Sequence, residues 1–336
     1  MFRFFMALNF NRLPMCVFYF AVALSVHLPV EAAEPANFTQ ILKDQTRQSF
    51  LKISEYVAKN PQADDVELAH RWLFQTAMDH GLESEAVKIA VAYLKRESVS
   101  PQTASFARKA LCLGLVRDGK VEEAQSIFED HLAGIRLRSA DTVIEFSLQL
   151  ARQAQLVGEY KASKNIYEAV SGKFFLSPHI REICDNKIEK LTLIGQPAPK
   201  IGAHDIAGNR VDLNDYKGKV VLIDFWATNC PPCLEEFPRM KQLYDDYHAD
   251  GFEIIGISFD TSQGLVEEFQ KKWELPWRMV MLDDAQGSLR RPYKVATIPS
   301  MYLVGRDGNV VQFDLRSHHL RQAISNLMDQ KKSPGK

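Results

Sequence analysis

The sequence predicts an all-α region of helical hairpins followed by an α/β region with a mixed central sheet and helices on both faces. From about 195 to 331, short β-branched apolar runs alternate with helical patterns, as they do where helices cover a sheet. From about 38 to 192, helical patterns follow one another without a strand signal and with few prolines. A pair of cysteines at the start of one predicted helix places the chemistry in the second region.

The composition is that of a soluble globular protein of about two domains. The 336 residues carry a net charge of −1, with 46% hydrophobic and 25% charged residues. A charge balance this close to neutral gives no indication of nucleic-acid binding.

The N-terminal segment 1–33 differs from the rest of the chain. Arg3 and Arg12 precede an apolar run from 13 to 30, and small residues stand at the −3 and −1 positions of a cleavage site after Ala32. We predict a cleaved secretory signal peptide or, as the alternative, an uncleaved membrane anchor. Either places the remaining chain outside the cytoplasm, in the periplasm or an equivalent extracytoplasmic space.

The predicted helical domain, 34–194, contains a weak repeat. Its glycines Gly81, Gly119 and Gly158 are spaced 38 and 39 residues apart. Each is expected to end a helix with a left-handed cap, and a small residue five positions later should let the next helix pack closely. The pattern resembles tetratricopeptide-type hairpins, although their usual period is about 34 residues. The region forms either a concave surface that docks another protein or a plain helical bundle without a groove.

The interior of this helical domain is predicted from apolar residues at helical spacing, among them Trp72, Leu73, Leu111 and Leu115. Cys112 and Cys184 stand singly in the same region. They are either small buried hydrophobic residues or partners in a structural disulfide, which an oxidising compartment would permit. No catalytic constellation is recognised in this domain.

The second domain is predicted to span 195–331, with a short tail at 332–336. It begins at the breaker-rich sequence GQPAP of 195–199. Its predicted strands are Val220–Phe225, Glu253–Ser258, Met279–Leu282, Ser300–Val304 and Val310–Asp314. Its predicted helices are Pro231–Tyr247, Gln263–Trp273 and Ser317–Met328. The last two strands should form a hairpin that turns at Asp307-Gly308.

Cys230-Pro231-Pro232-Cys233 lies where the first of these strands meets its helix, and this arrangement is a redox motif. With Cys230 at the N-cap and Cys233 one turn later, the two sulfurs can approach closely enough to form a disulfide. The helix dipole and the unpaired N–H groups of the first turn lower the pKa of Cys230. Since the two prolines have no N–H, the N–H of Cys233 is the expected donor to the Cys230 sulfur. With so few donors the disulfide should be weakly oxidising, which favours a reductase.

The ordered motifs of the second domain resemble the thioredoxin superfamily, and within it the TlpA-like branch of exported thiol–disulfide oxidoreductases. These motifs are GQPAP at 195–199, DLNDYKGKVVLIDFWAT at 212–228, CPPCLEEFP at 230–238, GFEIIGISFD at 251–260 and TIPSMYLVGRDGNVV at 297–311. The resemblance covers roughly 40% of the chain and implies a thioredoxin fold. It also implies an enzyme without cofactor or metal that acts on disulfide-containing protein substrates and receives electrons from a membrane or exported thiol donor.

Two carboxylates accompany the cysteines. Asp224 lies inside an apolar strand, so we expect it to be buried, with a raised pKa, and able to exchange a proton with the Cys233 thiol. Related proteins place an acidic residue there; the alternative is a surface carboxylate on a polar face of the strand. Glu236 stands where the TlpA-like branch often has a glutamate. It either shares the proton transfer or is a charge at a helix N-terminus.

Trp226, Ile298 and Pro299 are the predicted substrate-binding residues. The resemblance implies a cis peptide bond at Ile298-Pro299 that brings the Ile298 backbone beside Cys230, where it can pair with an extended substrate segment; an ordinary trans proline is the alternative. Trp226 is expected to pack under the active-site turn and exclude water from the disulfide. Asn229 departs from the family, which commonly has Trp there. A flat apolar contact for a partner is thereby lost, so the choice of partner is the part of the resemblance that carries over least.

The predicted reaction is thiol–disulfide exchange. Cys230 attacks a partner disulfide, and Cys233 resolves the mixed disulfide while Asp224, with or without Glu236, takes its proton. The motif alone would allow two other uses. A zinc site is not favoured, because the sequence offers no second pair of ligands to complete four. Covalent haem attachment is excluded, because it requires His at position 234, which is Leu.

Two further functions are weighed against this prediction. A peroxiredoxin-type peroxidase requires a Thr three residues before its reactive cysteine, whereas Ala227 precedes Cys230 at that distance. A helical adaptor with a passive thioredoxin-like module would have no reason to keep both cysteines, Asp224 and Pro299.

Overall fold

The computed structural model describes residues 38–135, 140–282 and 289–329. Within these residues, helices precede the sheet: α1 Phe38–Lys59, α2 Val66–His80, α3 Glu83–Leu94, α4 Pro101–Arg117, α5 Val121–Ala133, α6 Ala140–Leu156, α7 Tyr160–Lys173 and α8 Pro178–Leu191. The predicted signal or anchor segment, 1–33, lies outside the described residues. In the part of the chain that the structure describes, no helix is both long and apolar enough to cross a membrane.

The helices α2 to α7 are joined in pairs by short turns at the repeated glycines. Gly81, Gly119 and Gly158 have φ values of 71°, 76° and 82°, the left-handed region that glycine enters without steric cost. The small residues five positions later, Ala86, Ala124 and Ser163, are fully buried. The predicted caps and close helix packing are therefore confirmed, while the tetratricopeptide-type repeat stays a prediction.

The core of the helical region differs from expectation at one residue. Leu73, Leu111 and Leu115 are buried, but Trp72 is 37% exposed. The inward stripe of α2 runs through His70, Leu73, Phe74 and Ala77, and position 72 lies off that stripe. The prediction for Trp72 was therefore wrong. Cys112 and Cys184 are both buried free thiols and form no disulfide.

A five-stranded sheet forms the second region. Its strands and their flanking helices are β3 Val220–Trp226, α9 Pro231–Leu234, α10 Phe237–Tyr247, β4 Phe252–Ser258, α11 Gln263–Trp273, β5 Arg278–Met281, β6 Ser300–Val304, β7 Val310–Phe313 and α12 Ser317–Asp329; a two-residue hairpin of β1 Ala203–His204 and β2 Arg210–Val211 precedes them. The strand order is β5-β4-β3-β6-β7. β3 pairs in parallel with β4 and antiparallel with β6, so the sheet is mixed and the predicted thioredoxin fold is confirmed.

The central strand β3 is buried at all seven positions, because the sheet is covered on both faces. Val221, Ile223 and Phe225 pack into one apolar cluster, and Leu222 and Trp226 pack into the other. Since side chains alternate along a strand, Asp224 points to the same face as Trp226. That face also carries both cysteines of the motif.

The predicted helix 231–247 is divided in the structure. α9 ends at Leu234 and α10 begins at Phe237, with Pro238 in its first turn. A proline has no N–H, and its ring clashes with the carbonyl four residues earlier in a helix. Pro238 therefore cannot continue the helix that begins at Pro231, and a new helix begins around it. The other strand and helix bounds agree with prediction to within a residue.

The helical region covers the edge of the sheet, within the compact unit that the chain forms from Thr46 onward. Gln312 of the edge strand β7 donates from Nε2 to the Gln155 carbonyl at 3.1 Å, and Val310 exchanges backbone hydrogen bonds with 195–196. An unpaired edge would present free backbone groups, and the two bonds of Val310 pair its N–H and carbonyl. The division into domains at about 195 stays a prediction.

Candidate functional site

Cys230 and Cys233 are joined by a disulfide at the N-terminus of α9. Cys230 is the N-cap residue and Cys233 lies in the first turn, with Cα atoms 5.3 Å apart; this placement confirms the expected geometry. Cys230 is 8% exposed and Cys233 only 1%, so Cys230 is the less buried of the two residues. In this disulfide form the Cys233 N–H donates to the Cys230 carbonyl at 2.9 Å, and its expected bond to a Cys230 thiolate stays a prediction.

The turn before Cys230 is held by Asp260, a residue that sequence reasoning did not single out. Thr228 donates from its backbone N–H to Oδ2 of Asp260 at 2.9 Å and from Oγ1 to Oδ1 at 2.6 Å. Ser258 donates to the same carboxylate at 2.7 Å. β3 and β4 are parallel, so their carboxyl ends lie side by side and Asp260 reaches the turn after β3. The feature that could have identified Asp260 from the sequence is a carboxylate directly after a predicted strand.

Asp224 lies on β3 below the disulfide and is 1% exposed. Its pKa is raised to about 7, first by burial and then by the nearby charge of Glu236, while Arg316 opposes the rise. Among the described residues its Oδ1 has no hydrogen-bond partner. The predicted buried carboxyl is confirmed and the surface alternative is excluded. A carboxyl of this pKa can accept and release a proton near neutral pH.

Glu236 is the N-cap residue of α10 and is 5% exposed. Its Oε1 lies 3.7 Å from Nη1 of Arg239, and its charge acts on Asp224. Its place at a helix N-terminus is confirmed, and a share in the proton transfer stays a prediction. The charge of Glu236 also acts on Arg152 of α6. Burial lowers the pKa of Arg152, whereas Tyr167, Asp314 and Glu236 oppose that shift.

The peptide bond between Ile298 and Pro299 is cis, as the family resemblance implied. Ile298 packs against the apolar cluster that contains both cysteines. The Pro299 carbonyl accepts a hydrogen bond from Nη2 of Arg316 at 3.2 Å. Sequence reasoning missed Arg316, because nothing in its local pattern indicates a partner 17 residues earlier.

Trp226 is completely buried and belongs to the same apolar cluster as the cysteines. Its ring lies 5.0 Å from that of Phe237, edge to face, and 5.1 Å from that of Phe269. The expected packing beneath the turn is therefore observed. Direct contact between Trp226 and a bound partner is not available in this conformation, since no part of the ring reaches the surface. Asn229, by contrast, is exposed.

Comparison with known proteins, like the geometry of the site, indicates a thiol–disulfide oxidoreductase. Residues 194–313 match the AhpC/TSA family. The thiol–disulfide oxidoreductase ResA of Bacillus cereus is 36% identical over 143 residues, which cover 43% of this chain and 80% of that protein. ResA of Bacillus thuringiensis subsp. konkukian is 36% identical over 142 residues, covering 42% and 80%.

A solved structure, the thioredoxin domain of a thiol–disulfide oxidoreductase from Bacteroides vulgatus, is 31% identical, with a TM-score of 0.38, and covers 40% of this chain and 97% of that domain. The alignment with the Bacillus cereus protein spans four-fifths of that relative. The chain therefore belongs to the ResA family of thiol–disulfide oxidoreductases.

Proposed function

We propose that this oxidoreductase is an exported reductase of protein disulfides in which Cys230 attacks and Cys233 resolves. The observation that carries the proposal is the Cys230–Cys233 disulfide at a helix N-terminus, on the same face of the sheet as a buried carboxyl whose pKa is raised to about 7. This arrangement pairs a less buried cysteine with a more buried one and supplies a proton acceptor on the same face.

The reaction begins with the reduced enzyme. The Cys230 thiolate attacks one sulfur of the partner disulfide, and the other partner sulfur leaves as a thiolate and takes up a proton. Cys233 then gives its proton to Asp224 and attacks the Cys230 sulfur, which breaks the mixed disulfide. The second partner sulfur leaves as a thiolate and takes up a proton, while Asp224 returns its own proton to solvent. The partner has then gained two electrons and two protons, and the enzyme holds the disulfide seen here.

The surrounding residues have separate roles in this scheme. Glu236 adjusts the proton affinity of Asp224, or shares its proton, from the start of α10. Trp226 keeps water from beneath the disulfide, and the backbone at Ile298 and Pro299 pairs with an extended segment of the partner. No cofactor or metal is required for these steps.

The direction of electron flow and the location are parts of the same proposal. Pro231 and Pro232 remove two N–H donors from the first turn of α9, which leaves the Cys230 thiolate less stabilised and the disulfide less oxidising. The signal-like sequence of 1–33 supports export, and with it a membrane or exported thiol donor that restores the dithiol. The helical domain is proposed to dock protein partners.

The test uses the full chain with Cys233→Ser, which cannot resolve a mixed disulfide. A reductase is expected to accumulate partners that are released by dithiothreitol, and Cys230→Ser with Cys233→Ser should trap none. Recovery of the same partners by both variants would instead indicate a helical adaptor with a passive module.

The reduction potential of the Cys230–Cys233 couple decides the direction. Equilibration with dithiothreitol should give a value near that of thioredoxin, about −270 mV. A value near about −120 mV would make the protein an oxidant and overturn the proposed direction. Rapid turnover of hydrogen peroxide would favour a peroxidase, against which Ala227, three residues before Cys230, already argues.

A further inference from the structure

A group of charges joins α8 of the helical region to the sheet, with Lys190 buried and its charged neighbours half-buried. Lys190 is 2% exposed. Its Nζ donates to Oγ of Ser300 at 2.7 Å and to the two carboxylate oxygens of Asp314 at 2.9 and 3.1 Å. Lys187, one turn earlier on α8, also donates to Asp314. These four residues, Lys187, Lys190, Ser300 and Asp314, are called the α8 clamp below.

The charges of the α8 clamp depend on one another. Burial alone would raise the pKa of Asp314, but the two lysines hold it well below its usual range. The pKa of Lys190 is lowered to about 8, chiefly by burial, and Asp314 opposes that shift. The Lys190 ammonium also lies 5.5 Å from the ring centre of Tyr302 and 5.9 Å from that of Phe313. Lys190 is therefore enclosed by strands β6 and β7 rather than by solvent.

Asp314 forms a sharp turn at the end of β7. Its φ is 52°, a left-handed conformation that Asp adopts more readily than most residues other than glycine. Its N–H donates to the Met301 carbonyl at 2.7 Å. Two residues later, Arg316 donates to the Pro299 carbonyl. Each residue of the segment 299–301 is therefore held by at least one of these hydrogen bonds.

The segment that the clamp holds lies directly beside the redox site. Ser300 follows the cis-proline and pairs with Phe225, while Met301 pairs with Asp224. A displacement of this segment would move the Ile298 and Pro299 backbone relative to the disulfide. Well-packed apolar residues often stabilise such an interface as well as ion pairs do. The hydrogen bonds that Lys190 donates to Ser300 and Asp314 are directional, so they specify one position of strand β6.

We propose that Lys190, supported by Lys187, is a positioning residue of the redox site, through which the helical region holds the Pro299–Ser300 segment in the geometry that receives an oxidised protein chain. This inference rests on the proposed function in one respect, the contact between Ile298-Pro299 and the partner. The helical region then contributes to substrate binding at the disulfide itself, in addition to any docking surface of its own.

The test compares Lys190→Met with Lys164→Met in the full chain. Lys164 forms an exposed ion pair with Glu168 on α7, at 3.1 Å, so its replacement also removes one ion pair of the helical region. With insulin as the oxidised protein and dithiothreitol as the electron source, Lys190→Met should raise KM about 10-fold or more, in line with the cost of a misplaced binding group. The reduction potential and the rate with glutathione disulfide should match those of Lys164→Met, since neither requires the docked chain.

A second variant and a second measurement distinguish a positioning role of Lys190 from a general loss of folding. Ser300→Ala removes one hydroxyl from the clamp and leaves the ion pairs, and should raise KM in the same direction by a smaller factor. Hydrogen–deuterium exchange should become faster in 297–303 for Lys190→Met and stay at the wild-type rate for Lys164→Met.

The possible failures are distinguishable. Wild-type KM and exchange in Lys190→Met would overturn the inference while leaving an active wild type as a reductase. Faster exchange throughout α6–α8 would also overturn it, because the role of Lys190 would then be general stability. An inactive wild type would refute the proposed function, and exchange in 297–303 would still decide whether Lys190 positions the segment.

Discussion

Arg316 donates a hydrogen bond from Nη2 to the carbonyl oxygen of Pro299 at 3.2 Å. The same guanidinium opposes the rise in the pKa of Asp224. One side chain therefore acts on both the cis-proline segment and the buried acid, which the sequence separates by 75 residues. Removing the positive charge of Arg316 and removing the negative charge of Glu236 should therefore shift the pKa of Asp224 in opposite directions.

Replacing Arg316 with Met should raise the pKa of Asp224 above about 7, because the cation that favours its ionised form is removed. A ¹³C titration of the Asp224 carboxyl in the disulfide form measures this shift. Arg321→Met is the matched control, since Arg321 pairs with Asp246 on the surface at 2.8 Å. An unchanged Asp224 titration in Arg316→Met would show that the guanidinium has no electrostatic role there.

Replacing Glu236 with Gln should lower the pKa of Asp224, because the nearby negative charge that raises it is removed. The same carboxyl titration measures the change, and Glu235→Gln, one residue away in the chain, serves as the control. A shift in Glu236→Gln alone supports a part for Glu236 in the proton chemistry. If both variants titrate like the wild type, Glu236 is only a charge at the N-terminus of α10.

Asp224 should make the disulfide form less stable as pH rises. Its folded-state pKa of about 7 lies above its ordinary value of 3.8, so the folded protein retains a proton that the unfolded chain releases between these values. The free energy of unfolding should therefore fall as pH rises from about 4 to 7, by on the order of 4 kcal/mol at most. No further loss from this group is expected above its folded-state pKa.

Urea unfolding across this pH range, in the wild type and in Asp224→Asn, measures the effect. The amide cannot ionise, so the variant should lose this part of the pH dependence and be the more stable protein at pH 8. Equal slopes in the two proteins would mean that Asp224 titrates normally in the folded state.

Local rules made much of this protein predictable from the sequence. The strands follow from short β-branched runs, and the helix ends at Gly81, Gly119 and Gly158 follow from the low cost of left-handed backbone at glycine. The place of Cys230 at a helix N-cap follows from a strand, a short turn and two prolines. Burial of Asp224 follows from its position inside an apolar strand. Each of these depends on neighbours within a few residues along the chain.

Other features depend on residues that are distant in the sequence. The exposure of Trp72 depends on which stripe of α2 faces its neighbours, and the pairing of Asp260 with Thr228 depends on the alignment of two parallel strands.

The sequence by itself therefore determined the fold class, the redox motif and the buried acid, because short-range periodicity and turn chemistry encode them. Only the tertiary structure decided that Arg316 contacts Pro299 and that Lys190 reaches Ser300 and Asp314. The sequence around a charged residue does not show which residue it will pair with. Their pairing is decided by where the folded chain brings distant elements together, and there burial makes each unpaired charge costly.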